Sequence, residues 1–244
     1  MRYGIISDIH GNFNAMKEVL KFLDGQGVDK IINCGDIVGY GPEPHGCIEC
    51  ISERKDIYSI LGNHDWAVIK RDTWKFNPVA ERAVIWTREH IKQENIDFLC
   101  KLDCKGAGEN FMFVHGSPRD PINEYVFSTY QAGPNFEYFE HNICFVGHTH
   151  RPACFCLDDK GEVSEINFIP DKELKLKKKY RYLINVGSVG QPRDGIPDGC
   201  VIIYDSKKYT IIQKRIKYNI DDTCDKIIRA GLPEFLATRL KRGI

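Results

Sequence analysis

Two aspartates, one asparagine and up to five histidines stand at the ends of apolar runs of strand length. They occur in Ser7-Asp8-Ile9-His10-Gly11, Gly35-Asp36, Gly62-Asn63-His64-Asp65, Val114-His115-Gly116 and Gly147-His148-Thr149-His150. These side chains supply carboxylate, amide and imidazole donors, a set suited to divalent cations. Asp8 and His10 are spaced i, i+2, as are His148 and His150, and an extended strand end would point each pair to one side. A single D-x-H or H-x-H is weak evidence. Five such strand ends, each beside a glycine that lets backbone approach closely, point to one pocket with room for two metal ions.

The elements that would position them read as α/β. Tyr3 to Ser7 is a first strand, and Phe13, Met16, Val19, Leu20 and Leu23 recur at helical spacing after it. Lys30 to Cys34, a helix Cys47 to Arg54, and Ile57 to Leu61 complete a β-α-β-α-β series. That alternation predicts parallel strands with right-handed crossovers, and ligands beyond their carboxyl ends. Residues 66–104 read as a helical insertion, with one helix opening at Asn77-Pro78 and a second over Ile96 to Lys101. Trp66, Trp74 and Phe76 either pack on the sheet or wall a pocket, and helical spacing favours packing. Strands follow at Phe111 to Val114 and Ile143 to Val146. Five more runs, from Ala153 to Ile216, read as an antiparallel second sheet. Asp221 to Lys241 is helical, broken near Gly231-Leu232-Pro233. Repeats and low-complexity linkers are absent from the sequence, so residues 1–244 read as one domain.

Composition narrows the class. The chain has 244 residues, 42% hydrophobic and 28% charged, with 34 basic side chains against 34 acidic ones. That is ordinary globular composition, and the neutral balance argues against bulk nucleic-acid binding. No apolar run reaches the roughly 20 residues of a membrane span. The ten cysteines avoid the ligand-bearing strand ends. Cys47 and Cys50 fall in a helix, and Cys154 and Cys156 form only one further pair, so reduced thiols are expected rather than a zinc knuckle. Length and the lack of a signal peptide argue against a disulfide-stapled secreted protein and for the cytoplasm.

The ordered blocks Asp8-Ile9-His10, Gly35-Asp36, Gly62-Asn63-His64-Asp65, His115 and Gly147-His148-Thr149-His150 resemble the calcineurin-like metallophosphoesterase superfamily. Asn185 to Arg193 is similar to a segment of its small bacterial and archaeal phosphodiesterases. The resemblance implies a four-layer α/β/β/α sandwich of two mixed sheets. It implies two divalent ions, one held by Asp8, His10, Asp36 and His150. The other would take Asp36, Asn63, His115 and His148, with Asp36 bridging. Manganese is the working expectation, with iron, zinc, cobalt and nickel also compatible with the donors. The resemblance gives His64 the leaving oxygen to stabilise or protonate. Asp65 either orients His64 or serves as a helix-start carboxylate.

Charge agrees with that chemistry. Two divalent ions less Asp8, Asp36 and a bridging hydroxide leave about one net positive charge, which suits an anionic phosphate ester. The expected activity is phosphodiester hydrolysis on a small molecule or nucleotide. A dinucleoside-polyphosphate hydrolase is the alternative, and retention of all eight ligand and acid residues argues against a non-catalytic scaffold. Asn12 reads as a substrate contact or a helix cap. Arg119 and Arg193 read as phosphate contacts or loop braces. Tyr40 reads as a substrate contact; it stands where protein phosphatases of the superfamily carry an Asp-Arg pair, a departure that argues against phosphoprotein substrates. The basic run from Lys172 to Arg181 reads as a solvated loop.

Overall fold

Two six-stranded sheets stack face to face in the computed structural model, which describes residues 1–244. The N-terminal series is β1 (Arg2–Ile6), α1 (Phe13–Gly25), β2 (Lys30–Asn33), α2 (Pro44–Glu53) and β3 (Ile57–Ser59). Its strands pair in parallel, as the alternation requires. The helical insertion consists of α3 (Asn63–Lys70), α4 (Pro78–His90) and α5 (Gln93–Leu99). Next come β4 (Lys105–Ala107), β5 (Phe111–Val114), α6 (Thr129–Asn135) and β6 (Ile143–Val146). The remaining strands are β7 (Ala153–Leu157), β8 (Val163–Ile166), β9 (Glu173–Lys175), β10 (Arg181–Asn185), β11 (Gly199–Asp205) and β12 (Thr210–Ile216). Helices α7 (Ile220–Arg229) and α8 (Glu234–Arg242) follow.

The strand orders are β3-β2-β1-β11-β12-β9 and β4-β5-β6-β10-β7-β8. This corrects one expectation. The late strands do not make a sheet of their own but divide between the two. β11 runs antiparallel to β1, and β10 runs parallel to β6. The reason lies in their composition. β10 and β11 are buried along nearly their whole length, so each needs a central place, and β1 and β6 offer unpaired backbone edges.

Alternation along the strands sorts the layers. Tyr3, Ile5 and Tyr204 face the other sheet, and Phe111 and Phe145 of that sheet meet them in the gap with edge-on ring contacts. Ile6 faces the opposite way, into a core with Met16, Val19 and Leu23 of α1. On β6, Phe145 points between the sheets while Cys144 and Val146 meet Ala132 and Phe136 on the outer side. The result is helix, sheet, sheet, helix. All ten cysteines are free thiols, and no helix is long and apolar enough to cross a membrane.

The insertion packs through Ala80, Ala83, Val84 and Thr87 of α4. Of its aromatics, Trp66 and Trp74 are 39% and 78% exposed, so neither is core. Phe76 turns inward, its ring edge-on to His64 at 4.7 Å, while Trp86 and Phe98 pack against the cores.

Candidate metal centre

The chain segments beyond β1, β2, β5, β6 and β10 meet at one rim of the two sheets. They bring Asp8, His10, Asp36, His115, His148 and His150 together, all buried. Ligand-type atoms of Asp8, His10 and His150 lie within 4.8 Å of one another, as do those of Asp8, Asp36 and His115. Asn63 opens α3, and its Oδ1 stands 3.0 Å from His115 Nε2, which is 3.1 Å from His148 Nδ1. His10 Nε2 and His150 Nε2 are 3.0 Å apart.

The i, i+2 pairs reach the same side for a reason other than the one expected. Asp8 (φ 55), His10 (φ 52), His148 (φ 67) and His150 (φ 58) are left-handed, not extended, and so is Asp36 (φ 56). Five of the chain's eight non-glycine residues with positive φ are therefore in this set. Such backbone costs roughly 1–2 kcal/mol per residue, and it concentrates where a site dictates side-chain direction.

Hydrogen bonds on the outer nitrogens fix the rings. His10 Nδ1, His115 Nδ1 and His150 Nδ1 donate to the carbonyls of Val38 (3.1 Å), Cys34 (2.9 Å) and Gln191 (2.6 Å). His148 does so through Nε2, to Asn123 O at 3.1 Å. Each ring then turns its other nitrogen, as a lone pair, toward the centre. Two carboxylate oxygens meet them there, Asp8 Oδ1 and Asp36 Oδ2, both buried without a hydrogen-bond partner. Asp36 Oδ2 is 3.5 Å from His10 Nε2 and 3.4 Å from His115 Nε2. Acceptors facing acceptors in a dry site need positive charge between them, so the donor set fits divalent cations. The same pull acts on protons. Burial alone would lower His115, but the Asp36 carboxylate overrides it and raises the ring to about 9. His148 and His150 are pushed down, first by burial and then by the charges of His115 and Arg193 respectively.

His64 stands at the second position of α3, against Tyr40 at 4.4 Å and His10 at 4.7 Å between ring centroids. Its Nδ1 is buried with no partner, and burial holds the ring well below the usual imidazole range. A ligand-type atom of His64 also lies within 4.8 Å of those of His10 and Asp36. With Tyr40, Phe76, Asn123, Tyr125 and His148 it lines a cavity of about 250 Å³.

Several expected roles change. Asp65 does not orient His64. Its carboxylate accepts the N–H groups of Gly62 (3.0 Å), Ile37 (3.2 Å) and Val38 (3.0 Å), which closes the start of α3 over the loop after β2. Burial and the Asp36 charge push it up to about 7 against those three donors. Asn12 is not free for substrate. It caps α1 through Ala15 N–H (3.1 Å) and donates to Gly190 O at 2.8 Å. Arg119 braces its loop by pairing with Glu124. Arg193 and Tyr40 do reach the centre. The Arg193 guanidinium lies 5.5 Å from the Tyr40 ring, and the Arg193 backbone N–H donates to His150 O at 3.2 Å. Sequence reasoning missed Tyr125, whose ring stacks on His148 at 3.7 Å. Its place in the loop after His115 was the one available hint.

Comparison with known proteins agrees. Residues 1–208 match the calcineurin-like phosphoesterase superfamily domain. An uncharacterised protein of Methanocaldococcus jannaschii is 38% identical over 245 residues, covering 98% of this chain and 97% of its own. The crystal structure of a metallophosphoesterase from Sphaerobacter thermophilus is 40% identical, covers 100% of both chains and superposes with a TM-score of 0.90. A hypothetical protein from Pyrococcus horikoshii OT3, 18% identical with a TM-score of 0.82 over 100% and 98% of the two chains, shares the fold. Every residue of the converging cluster falls inside the matched segment, and the chain belongs to the calcineurin-like phosphoesterase superfamily.

Proposed function

We propose that this phosphoesterase-family protein is a dinuclear metal-dependent hydrolase that cleaves phosphodiester bonds of a small molecule or nucleotide. One observation carries the reading. Asp36 Oδ2 is buried without a partner between His10 Nε2 and His115 Nε2, so one carboxylate faces both halves of the ligand set. Asp8, His10, Asp36 and His150 would hold one ion, and Asp36, Asn63, His115 and His148 the other, in a single domain spanning residues 1–244. A divalent pair supplies charge against the phosphoryl oxygens and lowers the pKa of water, and manganese is the first metal to load.

The protein's own groups do the rest. Asp36 Oδ1 accepts the His64 backbone N–H at 2.8 Å, which fixes the carboxylate and the start of α3 relative to each other. His64 offers an imidazole N–H to the leaving oxygen. Tyr40, Phe76 and Tyr125 wall that side and thin the water around it.

Asp36→Ala tests the assignment. Metal content should fall from two ions toward none, with turnover lost; normal content in the variant would refute the bridge. A panel of bis(4-nitrophenyl) phosphate, 4-nitrophenyl phosphate, diadenosine tetraphosphate and single-stranded RNA tests the bond. Cleavage of the monoester alone would overturn the diester reading.

A further inference from the structure

A second, larger cavity of about 650 Å³ adjoins the centre, and nothing above uses it. Its lining includes Phe127, Thr149, Arg151 and Arg193. Thr149 is the residue between the two ligand-type histidines of the last motif, and it ties this cavity to that loop. Three rings lead into it. Tyr125 lies on His148 at 3.7 Å and 19°, and Phe127 is stacked parallel to Tyr125 at 5.5 Å and 7°. Tyr125 lines the His64 cavity and Phe127 lines the larger one, so the stack stands between the two. The Phe127 ring is 51% exposed, an aromatic face left for a partner. Arg193 supplies charge on the same wall. Its Nε is buried without an acceptor, and Asp194, next to it, is engaged by Arg215.

The two cavities differ in what they can hold. The leaving alcohol must sit beside the imidazole N–H that meets its oxygen, which puts it in the 250 Å³ cavity with His64. The group that stays on phosphorus then lies on the far side, in the 650 Å³ cavity with Phe127 and Arg193. We propose that the large cavity holds the retained half of the diester and that this half carries a flat aromatic ring, as in a nucleoside monophosphate, stacked on Phe127. In the balanced step, water oxygen forms a bond to phosphorus and the bond from phosphorus to the small alcohol breaks. One proton of the water ends on the alcohol oxygen, the other stays on the nucleoside phosphate or passes to solvent, and no other group is consumed.

The proposal rests on the phosphodiesterase reading, and the experiment separates the two. The methyl ester of adenosine 5′-monophosphate offers two alcohols. Manganese-loaded protein should release methanol and AMP; adenosine and methyl phosphate would overturn the orientation. Turnover of the 4-nitrophenyl ester of adenosine 5′-monophosphate is then compared with that of methyl 4-nitrophenyl phosphate, which shares its leaving group. Phe127→Ala should raise KM for the nucleoside ester by about tenfold or more, relative to the methyl ester. Phe127→Leu, which keeps bulk without a π face, should lose most of the same preference. AMP binding by calorimetry, with phenyl phosphate as the simple aryl ligand, reads the shelf without turnover. Failure of every diester to turn over would sink the phosphodiesterase reading, while AMP binding that is lost in Phe127→Ala would still support the shelf. Equal AMP affinity in wild type and variant would refute the shelf whatever the turnover.

Discussion

Gly62→Ala is the smallest change expected to disable the centre. Gly62 precedes α3 with φ −101 and ψ 178, ordinary extended backbone that alanine adopts without strain. The obstacle is space. A Cβ built there would stand 2.6 Å from Asp36 Cγ and closer still to Asp36 Oδ1. Carbon atoms rest about 3.5–4.0 Å apart, so the methyl and the carboxylate must separate by about 1 Å. Asp36 cannot swing away freely, because its Oδ1 holds the His64 N–H. Overpacking of this kind costs about 1–3 kcal/mol, and losing a hydrogen bond to a charged group costs about as much again. A misplacement of about 1 Å in such a constellation also lowers turnover by about a hundredfold. Metal content by mass spectrometry, turnover on bis(4-nitrophenyl) phosphate and a denaturant melt would be measured together. Gly25→Ala is the control, since a Cβ there meets nothing within 4 Å. If Gly62→Ala kept two ions and near-normal turnover while folded, the placement of Asp36 as a bridge pinned from behind would be wrong.

The other expectations concern residues whose roles the geometry separates. His64→Ala should lower kcat by about a hundredfold or more with metal content unchanged; loss of an ion instead would make His64 a ligand. Asp65→Ala strips the acceptor from three buried N–H groups and should destabilise the fold by about 3 kcal/mol or more in a denaturant melt. The shape of its kcat–pH profile should stay as in the wild type, and a shifted profile at full stability would restore the orienting role. Arg119→Ala should change KM by less than about twofold, because its guanidinium serves Glu124; a large rise in KM would put it back at the substrate.

Much of this was legible because the site is written in residue types. Asp8, His10, Asp36, Asn63, His115, His148 and His150 share no local element, yet each follows an apolar run, and parallel strands bring their carboxyl ends to one edge. Apolar runs also gave β5 and β6 their observed limits. They could not say which sheet a late strand would join, since pairing of β11 with β1 depends on a contact some 200 residues away in sequence. They missed the short edge strands β4 and β9, which are largely exposed and carry no apolar pattern. Asn12, Asp65 and Arg119 were ambiguous for one shared reason. A polar side chain in a loop serves backbone or ligand equally well, and only its distances to N–H groups decide. Arg239 shows the opposite limit, reaching within 5.9 Å of the Tyr40 ring from α8 with no motif around it.

The left-handed backbone at the ligand-type residues needs support from outside their short loops. Five strained residues at roughly 1–2 kcal/mol each would melt an isolated loop. Here the strain is held by backbone bonds that continue the sheet past its strands. Asp8 N–H bonds Gly35 O at 3.0 Å, His10 N–H bonds Asp36 O at 2.9 Å and Gly11 N–H bonds Ile37 O at 2.9 Å. From the other side, Val189 N–H bonds Ser7 O and Gly190 N–H bonds Asp8 O, each at 2.9 Å. The first motif is thus clamped between the loop after β2 and the Asn185 to Arg193 segment. That segment contains no ligand-type residue of the cluster, but it sets where Asp8 and His10 point. Its glycine at 190 sits against Ile9 O so closely that a Cβ could not be admitted. The placement of Asp8 and His10 therefore depends on a stretch of chain that adds no ligand-type residue to the cluster. A substitution there should read out as weakened metal retention before any loss of substrate binding.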